Sequence, residues 1–299
     1  MPVKPDTGSA SGNLYRLRVM SYIIDAHCHL SDRDYDDLRD DIIGSMGKNG
    51  LLALINPASD LESAKAGLEL AKREKRIFAC LGTHPLEARS YDDQSEQFYR
   101  ENASNEKVVA IGEIGLDYHY EFETAQIQKD ILERQFQLAS DLDLPVVVHC
   151  REAHNDCYAI IKNFPGLKIL MHSYSEADSG SWKLYDELGA YISFGGMLTF
   201  KNSENVRDIA RMADPQRIMM ETDGPYLAPV PKRGKTNRPE WAWYSLLCLA
   251  DVLKRDAGEL ADLLLDNTVK FYGIESAVEK IKGETDDLDL SLGRDGLNL

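Results

Sequence analysis

The sequence has no apolar run long enough to cross a bilayer. A membrane-spanning helix needs roughly 18 to 20 consecutive apolar residues, whereas the longest apolar stretches here, such as residues 51–55, have the length of buried strands. We therefore expect no membrane partner. Cysteine is also scarce, with five widely spaced residues in 299. This odd number without a paired framework excludes a disulfide scaffold and predicts reduced thiols, as in the cytoplasm, or in a nucleus or organelle if the source is eukaryotic.

Basic residues are few relative to acidic ones. The chain has 34 Lys and Arg against 50 Asp and Glu, a net charge of −16. Such a charge repels a polyanion at long range, which excludes a protein that coats nucleic acid along its length. Any phosphate chemistry must therefore depend on local positive charge. With 43% apolar and 28% charged residues, the chain can still bury a sizeable core.

The two ends of the chain differ from its middle. Residues 1–20 mix Pro, Gly and Ser with a few basic residues and contain no apolar segment of a secretory signal. We expect a flexible N-terminal extension there, with an organelle-targeting segment as the alternative. Residues 276–299 are rich in acid and predict an acidic C-terminal tail. Residues 21–275 remain as one folded domain.

Short β-rich segments alternate with amphipathic stretches throughout this domain. The alternation predicts eight strands, at residues 22–26, 51–55, 76–81, 108–111, 146–149, 168–171, 190–193 and 217–220. Apolar residues at three- and four-residue spacing predict helices between them, including residues 61–72, 125–140, 153–162 and 206–213. Eight βα units without a break predict a single α/β (β/α)₈ TIM barrel, whose active site lies where the strands end.

Potential metal ligands follow several of these strands. His27 and His29 stand two residues apart at the end of the first strand, so both imidazoles point the same way. Two imidazoles held together provide half of a metal site. Other nitrogen and carboxylate ligands stand at the ends of further strands, namely Glu113, His149, His172 and Asp223. A metal site is favoured over a set of structural histidines, because scattered residues would not gather at one rim.

Four further residues are candidates for contact with a substrate. His84 follows the third strand and is expected either to orient substrate or to support a ligand. Arg151 either reaches the rim or pairs with Glu152. Arg233 and Lys235 belong to a basic loop after the eighth strand that also contains Lys232 and Arg238. This loop is either a local anion site or a solvated surface loop.

The remaining cysteine, histidine and aromatic residues have structural interpretations. Strand alternation turns Cys28 and Cys150 away from the neighbouring histidines, so we expect all five cysteines to pack in the core. His119 and His154 are expected to be solvated or to cap a helix. Tyr226, Trp241 and Trp243 could stack on a base, although core packing is favoured for the two tryptophans.

The motifs resemble those of the TatD-like metal-dependent deoxyribonucleases of the amidohydrolase superfamily. DAHCHL at 25–30, GTHP at 82–85, GEIGLDYH at 112–119, VVHCRE at 147–152 and ETDGPYLAP at 221–229 follow the family's order. The resemblance covers about residues 21–270. Two positions depart from it: Arg238 stands where the family often has Glu, and Ser173 where a bulkier residue is common. Neither is a ligand, but both bear on substrate preference.

The resemblance implies a two-metal phosphodiesterase. One divalent ion (Mg²⁺, Zn²⁺ or Mn²⁺) would be held by His27, His29, Glu113 and Asp223, and a second by Glu113, His149 and His172. Glu113 has two oxygens and could therefore bridge the ions. A water between the ions would be the nucleophile, and Asp223 would take its proton. The implied partners are DNA ends, above all single-stranded ones cut from the 3′ end by a monomer.

Two other functions stay open at this stage. A metal hydrolase on the same scaffold could act on a small ester, a lactone or a phosphotriester, and would have no need of the basic loop. A catalytically silent adaptor, using the acidic tail to bind, would have no physical reason to keep six ligands together. The preference between DNA and RNA, the polarity of cleavage and the identity of the metal also stay open.

Overall fold

The chain forms eight parallel strands that pair in sequence order. The computed structural model describes residues 21–121, 124–175 and 179–285. The strands are β1 (Ile23–Asp25), β2 (Leu51–Asn56), β3 (Ile77–Leu81), β4 (Val108–Asp117), β5 (Val146–Arg151), β6 (Ile169–Met171), β7 (Tyr191–Phe194) and β8 (Ile218–Met220). All eight predicted strands are present. β4 and β5 are longer than predicted, so Glu113 lies within a strand and not after it.

The first and last strands bring the sheet round into a nearly closed barrel. The backbone nitrogen of Ala26 donates to the carbonyl oxygen of Met220 at 2.9 Å. Beyond the strand ends, Cys28 and Gly224 form an isolated parallel bridge. Eight parallel strands arranged in this way, with helices between them, confirm the predicted (β/α)₈ TIM barrel.

Helices follow the strands and form the outer layer. They are α1 (Arg39–Ser45), α2 (Leu61–Arg73), α3 (Asp93–Asn102), α4 (Tyr118–Glu121), α5 (Ala125–Leu142), α6 (His154–Ile161), α7 (Ser179–Glu187), α8 (Glu204–Met212), α9 (Ala242–Leu253), α10 (Ala257–Tyr272) and α11 (Glu275–Thr285). The four helices predicted by range correspond to α2, α5, α6 and α8. Helix α2 begins with a capping box. The Asp60 side chain accepts from the Ser63 backbone nitrogen at 2.8 Å, and the Ser63 hydroxyl accepts from the Asp60 backbone nitrogen at 2.9 Å.

Strand alternation divides the apolar residues between two cores. In β5, Val146 and Val148 pack in the cluster beneath the helices, whereas Val147 packs inside the barrel. β8 behaves in the same way, with Met219 inside and its two neighbours outside. The barrel interior is therefore a packed core, and the polar residues of the site lie above it at the carboxyl ends of the strands.

Helix α11 covers the amino-terminal end of the barrel. Val278 and Ile281 are each 4% exposed and join the inner core, and Arg76, which precedes β3, donates to Thr285 at 2.6 Å. The packed part of the chain thus extends ten residues beyond the boundary at 275 expected from the sequence. That boundary was drawn too early because two buried residues on a short helix make a weak periodic signal. Residues 1–20 and 286–299 lie outside the described residues.

The helices that the structure describes also bear on the membrane question. In residues 21–121, 124–175 and 179–285, no helix is both long enough and apolar enough to cross a bilayer.

Candidate metal centre

Six residues predicted as ligands meet at the carboxyl ends of the strands. They are His27 and His29 after β1, Glu113 in β4, His149 in β5, His172 after β6, and Asp223 after β8. Possible ligand atoms fall into three groups whose members lie within 4.8 Å of one another: His27, Glu113 and His172; His27, His29 and Asp223; and His84, Glu113 and His149. The fold thus brings together residues up to about 200 positions apart in the chain.

Glu113 lies at the centre and presents a different oxygen to each side of the cluster. Its Oε2 is 3.3 Å from His27 Nε2 and 3.4 Å from His29 Nε2. Its Oε1 is 2.7 Å from His172 Nε2 and 3.1 Å from His149 Nδ1. The carboxylate is 2% exposed. Two oxygens directed at two sets of imidazoles are the arrangement that a carboxylate bridging two cations requires.

The donor set fits divalent metal ions. Nε2 of His27 and Nε2 of His29 are 3.3 Å apart, and His172 Nε2 is 3.4 Å from His149 Nδ1. Among the described residues, no lysine or arginine pairs with Glu113. Imidazole nitrogens that converge on one buried carboxylate can all be satisfied by a shared cation, and this mixture of nitrogen and carboxylate ligands suits Zn²⁺ or Mn²⁺.

Asp117 fixes the ring of His149. His149 Nε2 is 2.9 Å from Asp117 Oδ2, so its Nδ1 is the nitrogen directed at Glu113. A carboxylate on the outer nitrogen of a ligating histidine sets its tautomer and raises its basicity. Asp117 was not predicted as a site residue. A signal was available, because Asp117 stands four residues after Glu113 and strand alternation places both side chains on one face.

Glu221 faces His172 at a longer distance, and it too was missed. Its Oε1 faces His172 Nδ1 at 3.8 Å, and its Oε2 accepts from the Ser193 hydroxyl at 2.5 Å. Glu221 is completely buried. Burial alone would raise its pKa, but His172 and Ser193 together lower that pKa below its usual value. A lone Glu at the end of a short strand gave no sequence signal, since its partners come from β6 and β7.

Asp25 joins the loop after β8 to the end of β1. Its carboxylate accepts from the backbone nitrogen of Thr222 at 2.9 Å and also from the Thr222 hydroxyl. In the other direction, the backbone nitrogen of Asp223 donates to the carbonyl of His27 at 2.9 Å. Asp223 has a left-handed φ of 54°, which is uncommon for a residue other than glycine. These bonds hold that conformation and place Asp223 beside His27 and His29.

Burial decides the protonation of several site residues. It lowers the pKa of His27 to about 4 and that of His84 to about 3, so both imidazoles are neutral at pH 7. Burial acts to raise the pKa of Glu113, but the neighbouring His172 and other histidines bring it well below its usual value. For Asp223 burial prevails and raises the pKa to about 6. Neighbouring carboxylates, Glu113 among them, raise the pKa values of His29, His149 and His172 despite burial. Because metal ions bind neutral imidazoles, metal binding would displace protons from these three rings.

A cavity of about 550 Å³ opens above the cluster. His84 lines it, with its Nε2 3.5 Å from Glu113 Oε1, so it contacts the Glu113 carboxylate directly. Arg151 also lines the cavity, and its guanidinium lies 4.8 Å from the centroid of the Tyr120 ring. Glu152 is bound at 2.6 Å by His119. The sequence left open whether Arg151 reaches the rim or pairs with Glu152. In the structure it reaches the rim.

The basic loop lies outside the lining of this cavity. Arg233 stacks on Phe200 with its guanidinium 3.8 Å from the ring centroid, and Lys232 lies 5.6 Å from the Trp241 ring. Arg238 pairs with Glu240 at 2.7 Å. Lys235 is exposed. The structure thus brings His84 and Arg151 to the metal cluster and leaves Arg233 and Lys235 on the surrounding surface.

The structure also settles several secondary expectations. The cysteines are free and pack in or against the apolar cores, and none belongs to a ligand group found among the described residues. Trp241 and Trp243 are buried, whereas Tyr226 is exposed. His154 was expected to be solvated or to cap a helix, which is wrong: it is 8% exposed and lies 3.2 Å from the Tyr185 hydroxyl. A buried tyrosine from α7, which the sequence does not place nearby, holds it inside.

The barrel and its cluster of imidazoles and carboxylates define a metal-dependent hydrolase of the amidohydrolase type. Residues 24–273 match the family described as TatD related DNase, and the chain belongs to that family. It is 35% identical over 262 residues to the "Uncharacterized metal-dependent hydrolase YcfH" of Escherichia coli K12, across 86% of this chain and 97% of that protein. It is 30% identical to YabD of Bacillus subtilis, across 84% and 99%.

Solved structures agree with this assignment. The TatD homologue YjjV from Escherichia coli K12 superposes with a TM-score of 0.79 at 28% identity, covering 84% of this chain and 98% of that one. A TatD-family hydrolase from Entamoeba histolytica superposes with a TM-score of 0.74, covering 85% and 99%, and at 20% identity it supports the fold alone. The family, the fold and the metal-dependent hydrolase class are thus established together.

Proposed function

We propose that this protein hydrolyses phosphodiester bonds at the ends of DNA strands, as a 3′–5′ exonuclease using two divalent ions. One observation carries the proposal: the two oxygens of Glu113 face two separate sets of imidazoles. A pair of cations at such a site is suited to in-line displacement at phosphorus, because it stabilises both the attacking and the leaving oxygen. The family's description as DNase-related supports DNA as the substrate.

The side chains of the site have different roles in the proposed reaction. His27, His29 and Asp223 would hold one ion, His149 and His172 the other, and Glu113 would bridge them. When bound, the ions supply Lewis acidity and lower the pKa of water enough for attack at neutral pH. Asp223 stands beside the cluster, with Oδ1 3.8 Å from His27 Nε2 and 3.7 Å from His29 Nε2. It can orient the attacking water and accept its proton.

The charge of the cavity explains how an acidic protein can accept DNA. Five acidic residues line the cavity, namely Asp32, Glu87, Glu113, Asp117 and Asp223. Among the described residues, Arg151 is the one lysine or arginine in that lining. Without cations this cavity would repel a phosphodiester. Two divalent ions neutralise most of its charge, so attraction for phosphate is confined to the point of cleavage.

The decisive experiment is Glu113→Gln, which keeps the size of the side chain and removes its charge. We expect loss of one of the two metal ions and a fall in turnover of at least a hundredfold, on single-stranded DNA labelled at the 3′ or the 5′ end. Glu87→Gln is the matched control, because Glu87 lines the same cavity but belongs to no ligand group among the described residues. Near-normal activity of Glu113→Gln with two ions bound would exclude the bridge.

The same preparation tests the substrate. Shortening from the 3′ end should release labelled mononucleotides from a 3′ label at once and from a 5′ label only late. If the metal-loaded protein cleaves small esters, lactones or phosphotriesters and leaves every oligonucleotide intact, the DNase proposal is wrong and the small-substrate alternative takes its place.

A further inference from the structure

Two exposed tyrosines stand at the mouth of the metal cavity. Five large apolar side chains in the described part of the chain are well exposed, and two of them, Tyr120 at 65% and Tyr226 at 53%, line this one cavity. An aromatic side chain that stays exposed does not gain the favourable free energy of burying its apolar surface. Two such rings at one site therefore indicate a binding surface for a flat or apolar group.

The backbone of each tyrosine is hydrogen-bonded to an aspartate of the metal centre. The backbone nitrogen of Tyr120 donates to Asp117 Oδ1 at 3.1 Å, while Asp117 Oδ2 is 2.9 Å from the metal ligand His149. The backbone nitrogen of Tyr226 donates to the carbonyl oxygen of Asp223 at 2.9 Å. Each tyrosine follows its aspartate by three residues. Their positions relative to the metal ions are thus set by the same turns that support the ligands.

Arg151 adds a positive charge beside one ring. Its guanidinium lies 4.8 Å from the Tyr120 ring centroid, and the His119 ring meets the same ring edge-on at 4.7 Å between centroids. Among the described residues, no carboxylate forms an ion pair with Arg151. The N–H groups of such an arginine are not used by an acidic partner. They can therefore bind two oxygens of a phosphate at once.

We infer that Tyr120 and Arg151 form a subsite for the nucleotide beside the cleaved bond, an inference that rests on the function proposed above. The base stacks on Tyr120, Arg151 binds the adjoining phosphate, and Tyr226 adds a second exposed aromatic surface to the lining of the cavity. Bases in a duplex are paired and stacked, so an unpaired nucleotide reaches Tyr120 without the free-energy cost of breaking a base pair. The cavity of about 550 Å³ has the size of a small-ligand site, which suits a single nucleotide. The subsite therefore favours an unpaired end over a blunt duplex.

The test measures binding apart from cleavage. The parent is the Glu113→Gln protein with Mn²⁺ present, and the probes are a labelled single-stranded octamer, the same octamer with an abasic 3′ nucleotide, and a blunt duplex, followed by fluorescence anisotropy. We expect the parent to prefer the single strand. Tyr120→Ala should weaken its binding by about tenfold or more, as loss of one base–aromatic stack does, and Tyr120→Phe should restore it.

The abasic probe separates stacking from a general structural effect. It should bind the parent as weakly as the intact octamer binds Tyr120→Ala, and Tyr120→Ala should weaken it no further. Arg151→Ala should weaken both single strands equally and reduce the slope of log affinity against log salt by about 0.7, the value for one phosphate contact. Met212→Ala, which alters an exposed apolar residue at the end of α8, is the control and should change nothing.

The possible failures are distinct. If the parent binds the octamer but Tyr120→Ala has no effect, or weakens the abasic probe just as much, the stacking subsite is wrong while the DNase proposal stands. Equal affinity for single strand and blunt duplex would also overturn the subsite. If neither the parent nor the metal-loaded wild type engages any oligonucleotide, both proposals fall together.

Discussion

At the scale of single residues, the site depends as much on the partners of its ligands as on the ligands themselves. Asp117 fixes the tautomer of His149, and Glu221 faces the outer nitrogen of His172. Both carboxylates are almost completely buried. A buried carboxylate is stable only when it is hydrogen-bonded or paired, so Asp117 constrains the ring of His149, while Glu221 is held by Ser193 and lies beside the ring of His172.

Replacing Asp117 should weaken metal binding without removing a ligand. Asp117→Ala is expected to lower the affinity of the metal site by about 10- to 100-fold, because His149 loses the acceptor that fixes its ring. Asp117→Asn retains an oxygen acceptor and should lose less. Competition with a chromophoric chelator measures the affinity, with the exposed Asp141→Ala as a control. Unchanged affinity in Asp117→Ala would show that His149 is held by other contacts.

Proton competition predicts how metal binding depends on pH. In the metal-free protein burial raises the pKa of Asp223 to about 6, and contacts with Glu113 and Asp117 raise the pKa of His149 above its usual value despite its burial. Protons therefore occupy ligand atoms as the pH falls, and metal affinity should decrease from pH 7.5 to pH 5.5. Asp223→Asn should make this decrease shallower near pH 6. Titration calorimetry in buffers of different ionisation enthalpy measures the protons released, and a flat profile would contradict the prediction.

At the scale of elements, the close approach of β4 to β5 sets the geometry of the bridge. Gly115 lies between Glu113 and Asp117 and faces the backbone of His149, where an added Cβ would collide with the His149 carbonyl. Only glycine allows the two strands to come this near. With the strands this close, Glu113 Oε1 and His149 Nδ1 are 3.1 Å apart.

Helix α11 is an element whose contribution can be measured. Ile281 is 4% exposed in the core at the amino-terminal end of the barrel. Ile281→Ala should lower the free energy of unfolding by about 2–4 kcal/mol through lost burial and a residual cavity. Metal stoichiometry should not change, because the ligands lie at the opposite end of the barrel. Urea unfolding provides the measurement, and Lys280→Ala on the exposed face of α11 is the control. Equal stability of the two variants would mean that α11 contributes little.

At the scale of the whole molecule, the fold and the metal centre are separable. The barrel has an inner core and a second core beneath the helices, and neither includes a metal ligand. A domain of this size with its own cores does not need an ion in order to fold. Metal ions would stabilise the native state only by binding to it.

Exhaustive chelation should therefore abolish hydrolysis and leave the barrel folded. We expect the far-ultraviolet circular dichroism of the metal-free protein to match that of the loaded protein, and the melting temperature to fall. Adding Mn²⁺ or Zn²⁺ should restore activity and melting temperature together. Elemental analysis must confirm that the metal is gone, and activity persisting in that sample would exclude a metal-dependent mechanism.

Patterns in the sequence were sufficient to predict the barrel, the six candidate ligand residues and the family resemblance. Strand and helix periods are local properties, and each candidate ligand stands in or just after the carboxyl-terminal half of a predicted or observed strand, where parallel topology forces convergence. The even spacing of His27 and His29, and of Glu113 and Asp117, is likewise visible in the sequence. These features needed no knowledge of which elements meet in space.

Contacts between distant segments became visible only in the folded barrel. It directed the two oxygens of Glu113 to different histidines, set Glu221 against His172, and buried His154 beneath Tyr185. It also placed Arg151 and Tyr120, and not Arg233, at the cavity. Such contacts join residues from several strands, loops and helices, and a sequence pattern records the spacing within one element but not the register between two. The physical reason is that side-chain direction at the rim of a barrel depends on strand tilt, loop turns and packing, which exist only once the ring has closed.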